Sequence, residues 1–318
     1  MNDVQRGDVF ALGDHRLMCG DSTDPEDVSK LMDGRTAKMV FTSPPYADIR
    51  TYGGDKNLDP QHLAKFIAAY RPYCDLYLVN LGTKRQNYEI IPYWNVYTKA
   101  ANDADLKLVS INIWDKGEVA GVGALTAVFP IRHEYIFVYN PGTKIKLNKT
   151  VRKNPKNMIT LDKKISRRNA DGSISKTPSH CTRHPYKTMD SIVKVRPNKN
   201  NTVAALHPSQ FPVALPLEHI RAVCDEGDIV IDPFGGGGTT LIAAERTNGR
   251  RESLYDFEEN TAKQPIRCFT MELDPGYCKI AIERWEKETG MQAERAYCGI
   301  SSISHSEDAQ IGGYIWQT

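Results

Sequence analysis

Apolar positions along the chain switch between a strand-like period and a helical one. Runs of strand length fall at 15–19, 38–42, 75–81, 106–114, 134–139, 229–231 and 268–273. The run 106–114 alternates at Leu106 and Leu108 and then at Ile111 and Ile113, so it predicts a strand with an irregularity. Helical spacing fits 24–32, 59–73, 90–101, 210–224, 239–247 and 275–288; in the second of these Leu63, Phe66, Ile67 and Tyr70 make one face. Strands that alternate with helices predict a mostly parallel, doubly wound α/β sheet covered on both faces. The rhythm fails over 140–201, which is rich in Lys, Asn, Pro and Ser and reads as an insertion or lobe. It fails again over the polar stretch 249–265 and from Gly290 onward. No internal repeat is visible.

Composition bounds this picture. With 318 residues, 40% of them apolar, the chain suffices for one large α/β domain or a domain plus an insert. No run reaches the roughly 18 apolar residues of a membrane span. The first six residues lack an apolar stretch, so no secretory signal is expected. Seven cysteines are scattered with no CxxC pair. They predict reduced thiols in a cytoplasm, packed as small apolar residues, and no zinc site.

Charge is unevenly spread. Residues 140–201 hold sixteen Lys and Arg against three acids, a net of +13, so the remainder carries −11 of the overall +2. Such concentration is either a solvated loop or the footprint of a polyanion site.

Two motifs carry chemistry. Ser43-Pro44-Pro45-Tyr46 leaves the end of an apolar strand. Its prolines fix φ twice, remove two N–H groups and push the preceding residues into extended geometry. The product is a stiff loop with acceptor carbonyls, a hydroxyl and a ring, suited to hold an amino group and stack on the flat ring that bears it. The second motif is Asp232-Pro233-Phe234-Gly235-Gly236-Gly237-Gly238-Thr239-Thr240, between a strand and a helix. No lysine follows the glycines, so it is not a phosphate loop. Glu272, at the end of the next strand, stands where an acid accepts from ribose hydroxyls. Together they imply an adenosine-type ligand.

These motifs resemble those of the amino-group DNA methyltransferases, which modify cytosine N4 or adenine N6. Asp-Pro-Phe-x-Gly-x-Gly-Thr-Thr is similar to their S-adenosylmethionine loop and Ser-Pro-Pro-Tyr to their catalytic motif, in the order of the family's β group. His207-Pro-Ser-Gln-Phe-Pro212 resembles the segment that closes over the methionine part of the cofactor, and Gly20-Asp21-Ser22 the contact to adenine. The resemblance runs from residue 12 to 288. It implies a circularly permuted methyltransferase sheet: a catalytic half over 1–139, a basic target-recognition region over 140–201, a cofactor half over 202–289 and a tail over 290–318. It also implies roles. Ser43, Pro44, Pro45 and Tyr46 would hold the target base. Asp21, Ser22, Phe211, Pro212, Asp232, Phe234, Gly236, Gly238, Thr239, Thr240 and Glu272 would bind S-adenosylmethionine, with S-adenosylhomocysteine as product and no metal. Arg50, Arg152, Lys153, Arg167, Arg168 and Arg183 would touch DNA. The long polar stretch 249–265 departs from the tight link expected there.

Serine at the first motif position is typical of enzymes acting on cytosine N4, aspartate of those acting on adenine N6. The resemblance therefore favours cytosine, with adenine N6, RNA and an inactive DNA-binding module as alternatives. No nuclease motif is present, so a lone cytoplasmic methyltransferase of a bacterium, archaeon or phage, or the modification half of a restriction pair, is expected; family members often form homodimers. His133 and Glu134 alternate on a strand and read as structural. Trp114 and Lys116 fall near a strand end that could edge the base pocket.

Overall fold

The computed structural model describes residues 3–45, 59–117, 129–152, 164–178, 186–197, 211–248 and 264–297. The chain opens with two antiparallel strands, β1 (Val9–Leu12) and β2 (His15–Cys19), then α1 (Pro25–Met32) and β3 (Met39–Thr42). Helices α2 (Pro60–Leu63) and α3 (Phe66–Tyr70) lead to β4 (Tyr77–Leu81). A small hairpin, β5 (Lys84–Gln86) and β6 (Glu89–Ile91), precedes α4 (Asn95–Asp103), β7 (Lys107–Asp115) and β8 (His133–Asn140). The basic segment contributes β9 (Lys149–Arg152), β10 (Lys164–Arg168), β11 (Ile174–Pro178), β12 (Tyr186–Thr188) and β13 (Ile192–Lys194). Regular alternation returns with α5 (Ala214–Val223), β14 (Ile229–Asp232), α6 (Thr239–Asn248), β15 (Arg267–Glu272), α7 (Pro275–Thr289) and β16 (Glu294–Tyr297).

Ten strands form one sheet in the order β13-β7-β8-β4-β3-β14-β15-β2-β1-β16. The five central strands, β4 to β2, are parallel, and antiparallel pairs flank them. Two cores cover the two faces. Leu215, Ile220, Leu241, Ile282 and Trp285 from α5, α6 and α7 pack on one. Val28, Leu31, Phe66, Ile67 and Tyr97 from α1, α3 and α4 pack on the other. The predicted doubly wound α/β class is the observed one.

Helix boundaries follow local chemistry. Asp24 caps α1 by accepting from the Glu26 N–H, and Asp274 caps α7 by accepting from the Gly276 and Tyr277 N–H groups. Proline begins both helices, where its missing N–H costs nothing. Gly290, at φ 76°, ends α7 in the left-handed region.

The structure departs from the sequence reading at several elements. The expected helix 59–73 is split, because at Lys65 and Ile67 the backbone bonds to residues three back, His62 and Ala64, and tightens. The helix expected from 90 starts at Asn95: Pro92 disfavours helix in the residue before it, and Ile90 and Ile91 join β6 instead. Strands β1 and β16, four residues each with β16 at the sheet edge, are elements that the periodicity does not reveal. The irregularity foreseen in 106–114 is a register shift between Leu108 and Ser110. Among the described residues no helix is long and apolar enough to cross a membrane.

Candidate active site

Because the five central strands are parallel, their carboxyl ends open on one edge of the sheet. Thr42, Leu81, Asp232, Glu272 and Cys19 all end there. Strands β3 and β14 are neighbours where the winding changes direction, so Ser43-Pro44-Pro45 and the glycine loop leave the sheet side by side. Such a switch point is where open α/β sheets bind ligands.

Asp232 joins the two loops. Its buried carboxylate accepts from the hydroxyl of Thr42 at 2.7 Å, from that of Thr240 at 2.6 Å and from the Phe234 N–H at 3.2 Å. Thr42 precedes Ser43, and Thr240 lies in the first turn of α6. Burial pushes the Asp232 carboxyl up to about 6, against the opposing pull of these three bonds.

The glycine loop is folded tightly on β15. A Cβ added at Gly235 would sit 2.1 Å from the Thr270 hydroxyl oxygen. Gly236 and Gly238 adopt φ of 50° and 76°, and a Cβ at Gly238 would meet Ala281 at 3.0 Å. Thr239 is buried at the start of α6. Glu272 closes the loop: one carboxylate oxygen accepts from the Gly236 N–H at 2.8 Å, the other from the Asp274 N–H at 2.9 Å. Burial pushes Glu272 up to about 7, with both backbone bonds opposing it.

Residues 20–22, beyond β2, flank this loop. Asp21 is half-buried and accepts from the N–H and hydroxyl of Thr23, both at 2.8 Å. Arg6 stands 3.8 Å away. Ser22 is turned inward, donating to the Pro233 carbonyl and lying 3.3 Å from the Tyr70 hydroxyl, so it ties the two loops together. Phe234 is half-buried and stands edge-on to Phe66 at 5.3 Å. Phe211 stands edge-on to Phe41 at 5.7 Å, beside buried Pro212. His207 to Gln210 lie outside the described residues.

Of the Ser-Pro-Pro-Tyr motif, Ser43 and Pro45 are half-buried and Pro44 is buried. Tyr46 and Arg50 lie outside the described residues. Asn80 of β4 points its amide nitrogen at the Ser43 hydroxyl, 3.5 Å away. In the basic segment, Arg168 is exposed on the β10–β11 hairpin, while the backbones of Arg167 and Arg152 sit in β10 and β9. Lys153 and Arg183 lie outside the described residues. His133 and Glu134 do point apart: His133 reaches the Tyr135 hydroxyl, and Glu134 is buried.

Two participants were not legible beforehand. Arg284 of α7 donates to the Gly237 carbonyl and, at 3.3 Å, to the Thr239 hydroxyl, clamping the loop from behind. Nothing in the amphipathic pattern of α7 marks it. Asn80 left a trace, as the lone polar residue of the apolar run Tyr77-Leu78-Val79-Asn80-Leu81.

The donor set suits a nucleoside that bears a vicinal diol. Each Glu272 oxygen has spent one lone pair on backbone and keeps another for a hydroxyl. The glycine backbone admits close approach, and Phe234 and Phe211 supply flat apolar faces.

A family profile described as DNA methylase, of N6 and N4 type, matches residues 37–283. The orphan methyltransferase M.BamHII of Bacillus amyloliquefaciens is 25% identical over 78% of this chain and 88% of its own length. The type II methyltransferase M.ScaI of Streptomyces caespitosus is 22% identical over 88% of this chain and 84% of its own. Among solved structures, the PvuII DNA methyltransferase, titled cytosine-N4-specific, superposes with a TM-score of 0.55 at 16% identity, covering 87% of this chain and 91% of its own. The TTHA0409 protein of Thermus thermophilus, complexed with S-adenosyl-L-methionine, superposes with a TM-score of 0.51 at 21% identity, covering 86% of this chain and 94% of its own.

Proposed function

Because the chain belongs to the DNA methylase family of N6 and N4 type, we propose that it transfers a methyl group from S-adenosylmethionine to the N4 amino group of a cytosine turned out of duplex DNA. One observation carries this reading: the Asp232 carboxylate bonds both Thr42, which leads into Ser43, and Thr240, which opens the helix after the glycine loop. The base-holding and cofactor loops are thereby locked to each other.

Glu272 would take the ribose hydroxyls, Asp21 the adenine, Gly236 and Gly238 the close backbone approach, and Phe211, Pro212 and Phe234 the apolar surface. Asp232, Thr239, Thr240 and Ser22 hold those groups in place. When bound, S-adenosylmethionine supplies an activated methyl group on a cationic sulfonium, so neither a metal nor a strong base is required. The Pro44 carbonyl has no neighbouring N–H at Pro45 to compete for it, and with the Ser43 hydroxyl it would accept the two amino hydrogens. That draws the nitrogen out of the ring plane and frees its lone pair. Tyr46 would stack on the base, a contact of about 1–3 kcal/mol. Rate then comes chiefly from positioning. Residues 140–201 would form the target-recognition region, between a catalytic half at 1–139 and a cofactor half at 202–289, with Arg50, Arg152, Lys153, Arg167, Arg168 and Arg183 on the phosphates.

Cytosine rests on Ser43, the residue type expected for N4 enzymes. Digesting DNA methylated by the protein and identifying the nucleoside tests it: N4-methylcytosine is expected, and N6-methyladenine would assign adenine instead. Tyr46→Ala should lower methyl transfer to DNA at least about 10-fold while cofactor binding by calorimetry stays unchanged. Wild-type transfer by that variant would remove the stacking role.

A further inference from the structure

A buried polar chain runs back from Ser43 into the sheet. Strand β8 lies antiparallel between β4 and β7, with Asn80 opposite Ile136 and Trp114 opposite Glu134. This register sets Asn80 and Glu134 one pleat apart on the same face. The Asn80 amide nitrogen donates to Glu134 at 2.7 Å and points at the Ser43 hydroxyl oxygen at 3.5 Å. The other Glu134 oxygen accepts from the Lys116 ammonium at 2.5 Å. Lys116 in turn lies over the Trp114 ring, 4.7 Å from its centre. Asn80 is 1% exposed and Glu134 9%.

Stability does not call for these groups. A buried ion pair and amide recover their lost hydration at best partly, and well-packed apolar side chains of similar volume are often as stable or more so. Their arrangement does have a directional consequence. A carboxylate only accepts, so Glu134 obliges the Asn80 amide to face it with nitrogen rather than oxygen. The second amide hydrogen is then aimed at Ser43.

We propose that Lys116 and Glu134 are positioning residues that act through Asn80 to fix the Ser43 hydroxyl for the target amino group. The inference rests on the base-holding role of Ser43 given above. By donating to the hydroxyl oxygen, Asn80 biases its rotation toward the pose that accepts from the amino hydrogen. The 3.5 Å separation lies at the outer limit of a hydrogen bond, and catalytic bonds of this kind tighten in the complex with substrate. Lys116 holds the Glu134 carboxylate in direction and place, and Trp114 keeps Lys116 over it.

The test is a cycle of variants of the full chain, assayed by transfer of radiolabelled methyl to DNA. Glu134→Gln restores to the amide a choice of partner, and should lower kcat roughly 10- to 100-fold with the KM for S-adenosylmethionine unchanged. In a Ser43→Ala background the same change should alter the residual rate by less than about twofold, because the group acted upon is gone. Equal fold losses in both backgrounds, or a wild-type rate for Glu134→Gln, would overturn the proposal. Lys116 is near the surface and gives a second arm, in which denaturant unfolding of each variant keeps loss of folding apart from loss of rate. Lys116→Met should lose kcat and Lys116→Arg should recover most of it; equal rates for Met, Arg and wild type would overturn the proposal even if the Ser43→Ala rate is too low to measure. A wild-type rate for Ser43→Ala itself would instead remove the underlying role of Ser43.

Discussion

Each oxygen of Glu272 accepts one backbone N–H, from Gly236 and from Asp274. Burial nevertheless pushes its carboxyl up to about 7, so the neutral form is well populated just below neutrality. In its proposed role as ribose acceptor, Glu272 would take the hydroxyl hydrogens in its ionised form. Affinity for S-adenosylmethionine should therefore be full above the Glu272 titration and fall as the pH drops through it. With the neutral form not binding, the loss is about 10-fold between pH 8 and pH 6. Calorimetry across that range measures it, and Glu272→Gln should bind weakly with no such step; flat wild-type affinity would exclude the carboxylate as the ribose acceptor. Gly235 makes a complementary, steric prediction. An added Cβ 2.1 Å from the Thr270 hydroxyl must displace the loop or β15. Gly235→Ala should cost roughly 1–3 kcal/mol in denaturant unfolding and weaken cofactor binding as well. Cofactor loss without loss of stability would mean that the loop yields more easily than its packing suggests. The glycines, Asp232 and Glu272 were legible because each does work that few residue types can do. Asn80 and Arg284 were not, because their roles depend on neighbours 37 and 47 residues away in sequence.

Elements were legible in proportion to how much they are buried on both sides. Strands β3, β4 and β14 are buried throughout, with a single polar residue in each, and announce themselves; α1 and α7 carry cap residues at both ends. Strands β9 to β12 of the basic segment escaped because two-stranded ribbons with no sheet packed on either side need no alternation. Hairpin β5–β6 escaped for a related reason: the dipeptide at its turn is Asn87-Tyr88, not the Asn-Gly that signals a two-residue turn. Both turn residues have positive φ, 50° and 67°, and Tyr88 is 80% exposed. A tyrosine there carries left-handed strain with no packing to offset it. Tyr88→Gly should therefore stabilise the hairpin by roughly 1 kcal/mol. The gain should appear as slower amide hydrogen exchange in 84–91, since a small hairpin can open without global unfolding. Faster exchange in the variant would show that the ring contributes more than its strain costs.

Across the whole molecule, the basic segment is mounted on an acidic body and pinned at both ends. At its start, the Asn148 backbone N–H donates to the Ala222 carbonyl and its side chain to those of Arg221 and Cys224, anchoring it on α5. At its end, β13 pairs in parallel with β7 and extends the main sheet. The +13 of residues 140–201 is thus held against a body of −11, which repels a polyanion. DNA should engage this segment first and most of the attraction should be counterion release. If six to ten of its sixteen cations meet phosphates, affinity should fall by about 10³–10⁵ between 50 and 200 mM salt. Arg168, exposed on the β10–β11 hairpin, gives the local check. Replacing it with alanine should weaken binding to all duplexes alike and lower the slope of log affinity against log salt by about one. A slope left unchanged, with discrimination among sequences lost instead, would move Arg168 from the phosphates to a base edge and make the hairpin a reader of sequence.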